Sequence, residues 1–162
     1  MERDEESPDR ILVRLEGPSA YVRIEGRGTF RNSLAFKDFG LAAADRGARR
    51  LVLDCSACTG MDSTFMGVIA GLAFRYRKLD GGQVCAIHLS TKLHHLLSNL
   101  GLNRVIDMRG EDQPDVATSL AQPEPLQAAD THPRGREELT RTMIEAHEDL
   151  IKTSAANLPK FR

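Results

Sequence analysis

This sequence has almost no net charge, no long apolar run and few cysteines. Its 162 residues carry 22 Lys and Arg against 23 Asp and Glu, so there is no basic footprint for nucleic acid. No segment approaches the roughly 20 apolar residues that a bilayer-spanning helix needs, and the polar, acidic start MERDEESPDR lacks the features of a signal peptide. We therefore expect a cytoplasmic protein whose partners are proteins, not nucleic acid or membrane.

The three cysteines are Cys55, Cys58 and Cys85. They cannot all pair within one chain, and a reducing compartment keeps thiols free, so disulfides are not expected to hold the fold. The spacing Cys55-x-x-Cys58 is compatible with redox or zinc chemistry, but no second cysteine pair or histidine pair follows at zinc-finger spacing. We expect Cys55 to end a buried strand, Cys58 to lie in the next loop, and the protein to use no metal or cofactor.

Hydrophobic residues make up 41% of the chain, enough for one core, and their pattern predicts a single α/β domain over residues 11–110. Two alternating segments around Gly17-Pro18 predict a hairpin. Segment 50–55 (RLVLDC) is apolar nearly throughout, as in a strand that pairs in parallel and is buried on both faces. The predicted strands are 11–15, 20–24, 50–55, 84–89 and 105–108, and the predicted helices are 34–44 (capped by Asn32 or Ser33), 63–78 and 91–100, with a loop at 56–61.

The flanks differ in composition from this domain. Residues 1–10 are expected to be disordered, and segment 111–134 holds four of the seven prolines, which predicts a linker. Segment 135–156 predicts an amphipathic helix that docks on its own sheet, pairs with another protomer to form a homodimer, or binds a separate regulator; docking or dimerisation is favoured. The apolar face of that helix carries Leu139, Met143, Ala146, His147, Leu150 and Ile151.

The most informative stretch runs from Leu51 to Ile69, where a buried strand and a short loop lead to Asp62-Ser63 at a helix start. This arrangement resembles the STAS domain signature, in which a strand ending in Asp-x-Ser leads to an apolar residue, then Asp-Ser, then a helix start containing glycine. The resemblance implies a STAS-like α/β fold: a mixed sheet of four to five strands with helices mainly on one face, extended here by the C-terminal helix. The matching residues are Asp54, Ser56, Met61, Asp62, Ser63, Gly67 and Val68.

The resemblance is to the bacterial anti-sigma factor antagonists, which are regulators and not enzymes. In that family an ATP-binding serine-kinase anti-sigma factor phosphorylates the serine after the aspartate, and a protein phosphatase restores it. By resemblance this serine is Ser63, with Thr64 as the nearest alternative. A second matching stretch, 24–32, is similar to the family loop beside the phosphorylation site. The partner-binding residues that the resemblance implies are Arg27, Thr29, Asn32, Asp62, Ser63, Thr64 and Met66.

The start of a helix suits a phosphorylated residue, because unpaired backbone N–H groups and the positive end of the helix dipole stabilise a phosphate. A phosphoserine adds about −1.5 to −2 charges, so phosphorylation could abolish partner binding without refolding the domain. Asp and Ser are also ordinary helix caps, so one alternative is a constitutive STAS interaction or scaffold module in which Asp62-Ser63 only caps the helix. A thiol redox enzyme using Cys55 and Cys58 is a further alternative, which requires an accessible sulfur of lowered pKa.

Overall fold

The chain begins its fold with an antiparallel hairpin. The computed structural model describes residues 9–110, 127–128, 144 and 146–150. Strand β1 (Arg10–Glu16) pairs with β2 (Ser19–Gly28), and Gly17 turns between them with φ 57°, a left-handed conformation that glycine adopts readily. The predicted hairpin is confirmed, and β2 extends beyond its predicted end at residue 24.

The remaining elements alternate between strands and helices around this hairpin. In chain order they are α1 (Phe30–Asp45), β3 (Arg50–Asp54), β4 (Cys58–Met61), α2 (Ser63–Arg77), β5 (Gln83–Leu89), α3 (Thr91–Asn99), a 3-10 turn at Leu102–Arg104, β6 (Asp107–Gly110) and β7 (Gln127–Ala128). The strand order is β6-β5-β3-β2-β1-β7, and β4 pairs with the end of β2. Strands β2, β3, β5 and β6 are parallel, whereas β1 and β7 are antiparallel to their neighbours. This mixed α/β sheet confirms the predicted fold class.

The main core lies between the sheet and the three helices. Successive residues of a strand point to opposite faces. In β3, Leu51 and Leu53 therefore face the main core, whereas Val52 joins Cys85 and Ile87 of β5 on the other face. All three β3 residues are fully buried, as the apolar sequence of this strand predicted. The helices fill the main core with Phe36, Phe65, Ile69, Leu93 and Leu97 among others.

Two local predictions are wrong. Segment 56–61 is not a continuous loop, because Cys58–Met61 forms β4 in parallel with the end of β2. The N-cap of α1 is Thr29, not Asn32 or Ser33, so the helix starts earlier than its apolar pattern indicated. Strands β4 and β7 also enlarge the sheet beyond the four to five strands that the resemblance implied, since such short strands give no readable alternation.

The predicted N-terminal tail and linker fall largely outside the described residues. Of residues 1–10, only Asp9 and Arg10 are described, and Arg10 already belongs to β1. Of the predicted linker 111–134, only Gln127–Ala128 is described, and it forms β7. Because β7 pairs with β1, the chain returns to the edge of the sheet after leaving β6.

The part of the predicted helix 135–156 that is described packs against α2. Residues 146–150, which we call the C-terminal segment, are helical. Ala146 is 2% exposed and Leu150 is fully buried, and both belong to the main core. Ala146 lies directly over Gly67 of α2. One of the three predicted alternatives was docking on the sheet of the same chain; the contacts observed for Ala146 and Asp149 are with helix α2. The other residues of 135–156, apart from residue 144, lie outside the described part.

Candidate functional site

Asp62 holds the N-terminus of α2 in place. It is the N-cap of α2, and its Oδ1 accepts a hydrogen bond from the backbone N–H of Phe65 at 2.9 Å. Its Oδ2 accepts a second hydrogen bond, also at 2.9 Å, from the backbone N–H of Phe30, the first residue of α1. One carboxylate therefore serves two helix N-termini, where the positive ends of both helix dipoles favour its charge.

The loop between β2 and α1 lies directly beside this point, as the resemblance implies. The backbone N–H of Asp62 donates to the Gly28 carbonyl at 2.9 Å. Asn32 closes the loop, because its Oδ1 accepts from the N–H of Thr29 at 2.9 Å and its Nδ2 donates to the Arg27 carbonyl at 3.0 Å. With only 4% exposure, Asn32 shapes the predicted partner-binding face from inside.

Ser63 is the first residue of α2, and its side chain is half-buried. Its Oγ lies 2.9 Å from Nε2 of His147 in the C-terminal segment, and the tautomer of the imidazole decides which of the two atoms donates. The neighbouring Thr64 is 4% exposed and Met66 is 3% exposed, so both face the interior. Of the two adjacent hydroxyls, Ser63 is the one that approaches the surface.

The predicted partner-binding residues thus divide into two groups. Arg27 is exposed and Ser63 is half-buried, and the hydrogen bonds above bring their segments together. Thr29 uses its hydroxyl to cap α1, accepting from the N–H of Arg31 at 3.2 Å. The remaining members, Asn32, Asp62, Thr64 and Met66, position the surface through internal hydrogen bonds or packing.

A glycine on β2, Gly28, makes room for the ring of Phe65 at the start of α2. That ring stacks on the ring of Phe36, with 4.7 Å between the centroids and 11° between the planes. A Cβ added at Gly28 would lie 2.7 Å from the Phe65 ring, so β2 can approach α2 this closely only without a side chain there. The first turn of α2, which carries Ser63, is anchored by this contact.

His147 is the site residue that the sequence does not indicate. It is separated from Ser63 by 84 positions along the chain. The sequence offers one indication that His147 has a polar partner. It lies on the apolar face of a predicted helix, and a polar side chain that becomes buried there needs a hydrogen-bonding partner. The sequence pattern cannot say which residue provides that partner.

The two thiols of the Cys-x-x-Cys spacing are poorly placed for chemistry. Cys55 is 2% exposed and Cys58 is 9% exposed, with their sulfurs directed at the carbonyls of Leu53 (3.8 Å) and Gly60 (3.4 Å). Burial raises the pKa of both thiols, that of Cys55 well above its ordinary value. A nucleophilic thiol needs the opposite shift, so the geometry disfavours the thiol-enzyme alternative.

Neither a metal-binding cluster nor a membrane-spanning helix occurs in the described part of the chain. Its residues contain no group of three His, Cys, Asp or Glu side chains arranged to hold a metal ion. Over the same residues, every helix is too short or too polar to cross a bilayer.

The mixed sheet and the helix that starts at Ser63 define an α/β domain of the STAS type. A family model described as Mlab, STAS domain (STAS_2) matches residues 11–109, which is more than half of the chain. The chain belongs to the STAS domain family, as the signature around Asp62-Ser63 predicted. No curated protein sequence matches it.

Solved structures share the fold at low sequence identity. A proposed anti-sigma factor antagonist from Thermotoga maritima is 18% identical, with a TM-score of 0.58 over 70% of this chain and 95% of that one. An anti-sigma factor antagonist from Mycobacterium paratuberculosis is also 18% identical, with a TM-score of 0.55 over 72% of this chain and 96% of that one. The phosphorylated form of SpoIIAA, a Bacillus cell fate determinant, is 12% identical, with a TM-score of 0.53 over 69% of this chain and 99% of that one. The similarity covers the domain and stops before the C-terminal segment in the family match.

Proposed function

We propose that this protein is a cytoplasmic anti-sigma factor antagonist, or an equivalent regulator, that is switched by phosphorylation of Ser63. In its unmodified form it binds an ATP-binding serine-kinase anti-sigma factor or an equivalent kinase. That kinase phosphorylates Ser63 and thereby ends the interaction, and a protein phosphatase restores it. The protein itself carries out no catalytic step.

The observation that carries the proposal is the placement of the two adjacent hydroxyls at the start of α2. Ser63 approaches the surface, whereas Thr64 is 4% exposed and faces the core. A kinase must bring the acceptor hydroxyl into line with the γ-phosphate of ATP, which a buried threonine does not permit without local unfolding. This difference supports Ser63 over Thr64 as the acceptor.

The charge pattern supports loss of binding on phosphorylation. The Asp62 carboxylate already accepts hydrogen bonds from the first turns of α1 and α2. A phosphate on Ser63 adds about −1.5 to −2 charges next to it, so a partner surface that accommodates the Asp62 charge meets a much more negative site. Like charges brought together across an interface cost several kcal/mol. The domain itself stays folded, because the phosphate lies at the N-terminus of α2, where the helix dipole and backbone N–H groups stabilise it.

The proposal is tested with the serine-kinase anti-sigma factors of the same genome, each purified and mixed with the full chain. Wild type and Ser63→Ala should bind one of them with similar affinity, whereas Ser63→Glu should bind at least about tenfold more weakly, equivalent to about 1.4 kcal/mol. Incubation with ATP should phosphorylate wild type and Thr64→Ala but not Ser63→Ala. Isothermal titration calorimetry and intact-mass spectrometry give the two readouts.

Ser56→Glu is the matched control for the added charge, since Ser56 is exposed in the neighbouring loop. It should bind like wild type. If Ser63→Glu also binds like wild type, Ser63 is only a cap residue and the protein is a constitutive interaction scaffold. If Ser63→Ala is phosphorylated as fast as wild type, the acceptor is a different residue.

A further inference from the structure

We propose that the C-terminal segment, residues 146–150, is a tethered inhibitor of the Ser63 surface: docked on α2 it covers the serine hydroxyl, and a kinase reaches Ser63 only after it leaves. The inference rests on the proposed phosphorylation of Ser63 for its regulatory meaning. The occlusion itself rests on contacts between described residues.

The first contact is the hydrogen bond between Ser63 Oγ and His147 Nε2 at 2.9 Å. This separation leaves no room for a phosphoryl group between the two side chains. During phosphoryl transfer, the serine oxygen must approach the γ-phosphate while its proton passes to a base of the kinase. With His147 in place, the imidazole occupies the direction from which these groups must come. Phosphorylation and docking of His147 in this position therefore exclude each other.

The second contact is a close approach of the two backbones at Gly67. A Cβ added at Gly67 would overlap the backbone carbonyl of Ala146. Small residues at such positions allow helices to pack unusually closely, which places His147 within reach of Ser63. Glycine is a poor helix former, so its use inside α2 has a packing reason here.

The third contribution is the apolar face of the segment. Leu150 is fully buried and Ala146 is 2% exposed, and both belong to the main core, whereas Ile144, two residues before Ala146, is 53% exposed. The segment is therefore docked through one face, and the hydrophobic effect favours the docked state. Burial of Leu150 gives the docked state a driving force beyond the single hydrogen bond to Ser63.

The charges around Asp149, at the end of the segment away from Ser63, also favour docking. Asp149 and α2 enclose a cavity of about 320 Å³ together with residues of α1, and Lys37 and Arg75 line it as well. The acidic side chain of the segment thus lines the same cavity as two basic side chains of the domain. The cavity leaves this end of the contact incompletely packed, as expected of a segment that must be released.

The occlusion is tested by chemical labelling of Ser63→Cys in the full chain, which needs no kinase. The three native cysteines are buried and give a low background. Adding Gly67→Ala should release the segment and raise the labelling rate by about tenfold, equivalent to about 1.4 kcal/mol of docking free energy. The matched control is Gly71→Ala, whose Cβ meets the side chain of Asp149 in the same segment, with the carboxylate closest, whereas the Cβ at Gly67 meets the backbone of Ala146. A side chain can rotate away while the segment stays docked, but the backbone of Ala146 moves only with the segment. Both changes replace a glycine inside α2 and improve helix propensity equally, so neither acts by melting the helix.

Labelling rates are measured across pH, so that a change in the thiolate fraction of Cys at position 63 is separated from a change in access. Equal rates for the Gly67→Ala and Gly71→Ala forms would overturn the occlusion. Protection that rises with protein concentration would overturn it too, because the covering segment would then belong to a second copy of the chain.

The regulatory consequence is tested with Ser63 restored and the kinase identified by the binding experiment. Gly67→Ala should be phosphorylated faster than Gly71→Ala by about the same factor as in labelling. If labelling shows release but the two are phosphorylated at equal rates, the segment does not inhibit the kinase and the inference fails. If labelling shows release and no variant is phosphorylated by any kinase tested, the occlusion stands and the proposed function fails.

Discussion

Replacing Asp62 by alanine should destabilise the domain more than loss of an ordinary helix cap does. The Asp62 carboxylate accepts hydrogen bonds from the N–H groups of Phe65 and Phe30, each at 2.9 Å. Loss of an N-cap typically costs about 1 kcal/mol, and a hydrogen bond to a charged group contributes about 1.5–3 kcal/mol. Because Asp62 is only half-buried, solvent weakens both terms. We expect Asp62→Ala to lower the free energy of unfolding by about 2–3 kcal/mol.

Ser90 offers a matched control, because it caps α3 through a single hydrogen bond from the N–H of Leu93 at 3.1 Å. Ser90→Ala should cost only about 1 kcal/mol. Asp62→Asn should fall between the two, since an amide keeps one acceptor oxygen and loses the other. Urea unfolding followed by far-UV circular dichroism measures all three, and an unchanged m-value shows that the unfolded state is the same.

The contrary outcome is a loss for Asp62→Ala that is no larger than the loss for Ser90→Ala. The hydrogen bond that Asp62 accepts from the N–H of Phe30 would then contribute nothing to stability, and the orientation of α2 relative to the β2–α1 loop would depend on packing and on the backbone hydrogen bond from Asp62 to Gly28. A larger loss than expected would instead show that the start of α2 unravels together with that of α1.

Two further predictions concern the packing that supports the site. Burial raises the pKa of Tyr76 to about 12, above its unfolded value of about 10. The folded state therefore keeps the proton at a pH where the unfolded state has lost it, and the free energy of unfolding should fall between about pH 10 and about pH 12. Urea titrations across this range should show a smaller fall for Tyr76→Phe. Gly28→Ala should lower the free energy of unfolding by about 1–3 kcal/mol, because its Cβ meets the Phe65 ring. The control Gly60→Ala, with a nearest contact of 3.5 Å, should unfold at nearly the wild-type urea concentration, and equal losses would contradict the steric argument.

The main strands and helices could be predicted because each has a recognisable pattern of apolar residues within its own segment. The apolar run 50–55 has the composition of a strand covered on both faces, and β3 is buried in that way. The spacing of apolar residues after Ser63 similarly predicts α2, which runs from Ser63 to Arg77. Short elements are different: β4 and β7 exist because neighbouring strands offer hydrogen-bonding partners, which no local pattern encodes.

The candidate site could be predicted in position but not in detail. The signature placed Ser63 at the start of a helix beside the β2–α1 loop, and both features are present. It did not distinguish side chains that face outward from those that face inward. Asn32 and Met66 are buried, because their directions depend on how α1 and α2 pack on the sheet.

What the sequence determined by itself was the family, the order of the main elements and the serine at the start of α2, since all of these depend on residues that are close together in the chain. What only the tertiary structure decided was how distant residues meet. The second hydrogen bond of Asp62 joins residues 32 positions apart, and the contact between Ser63 and His147 spans 84 positions. Such contacts arise from the packing of whole elements against one core, so their partners become visible only after the chain has folded.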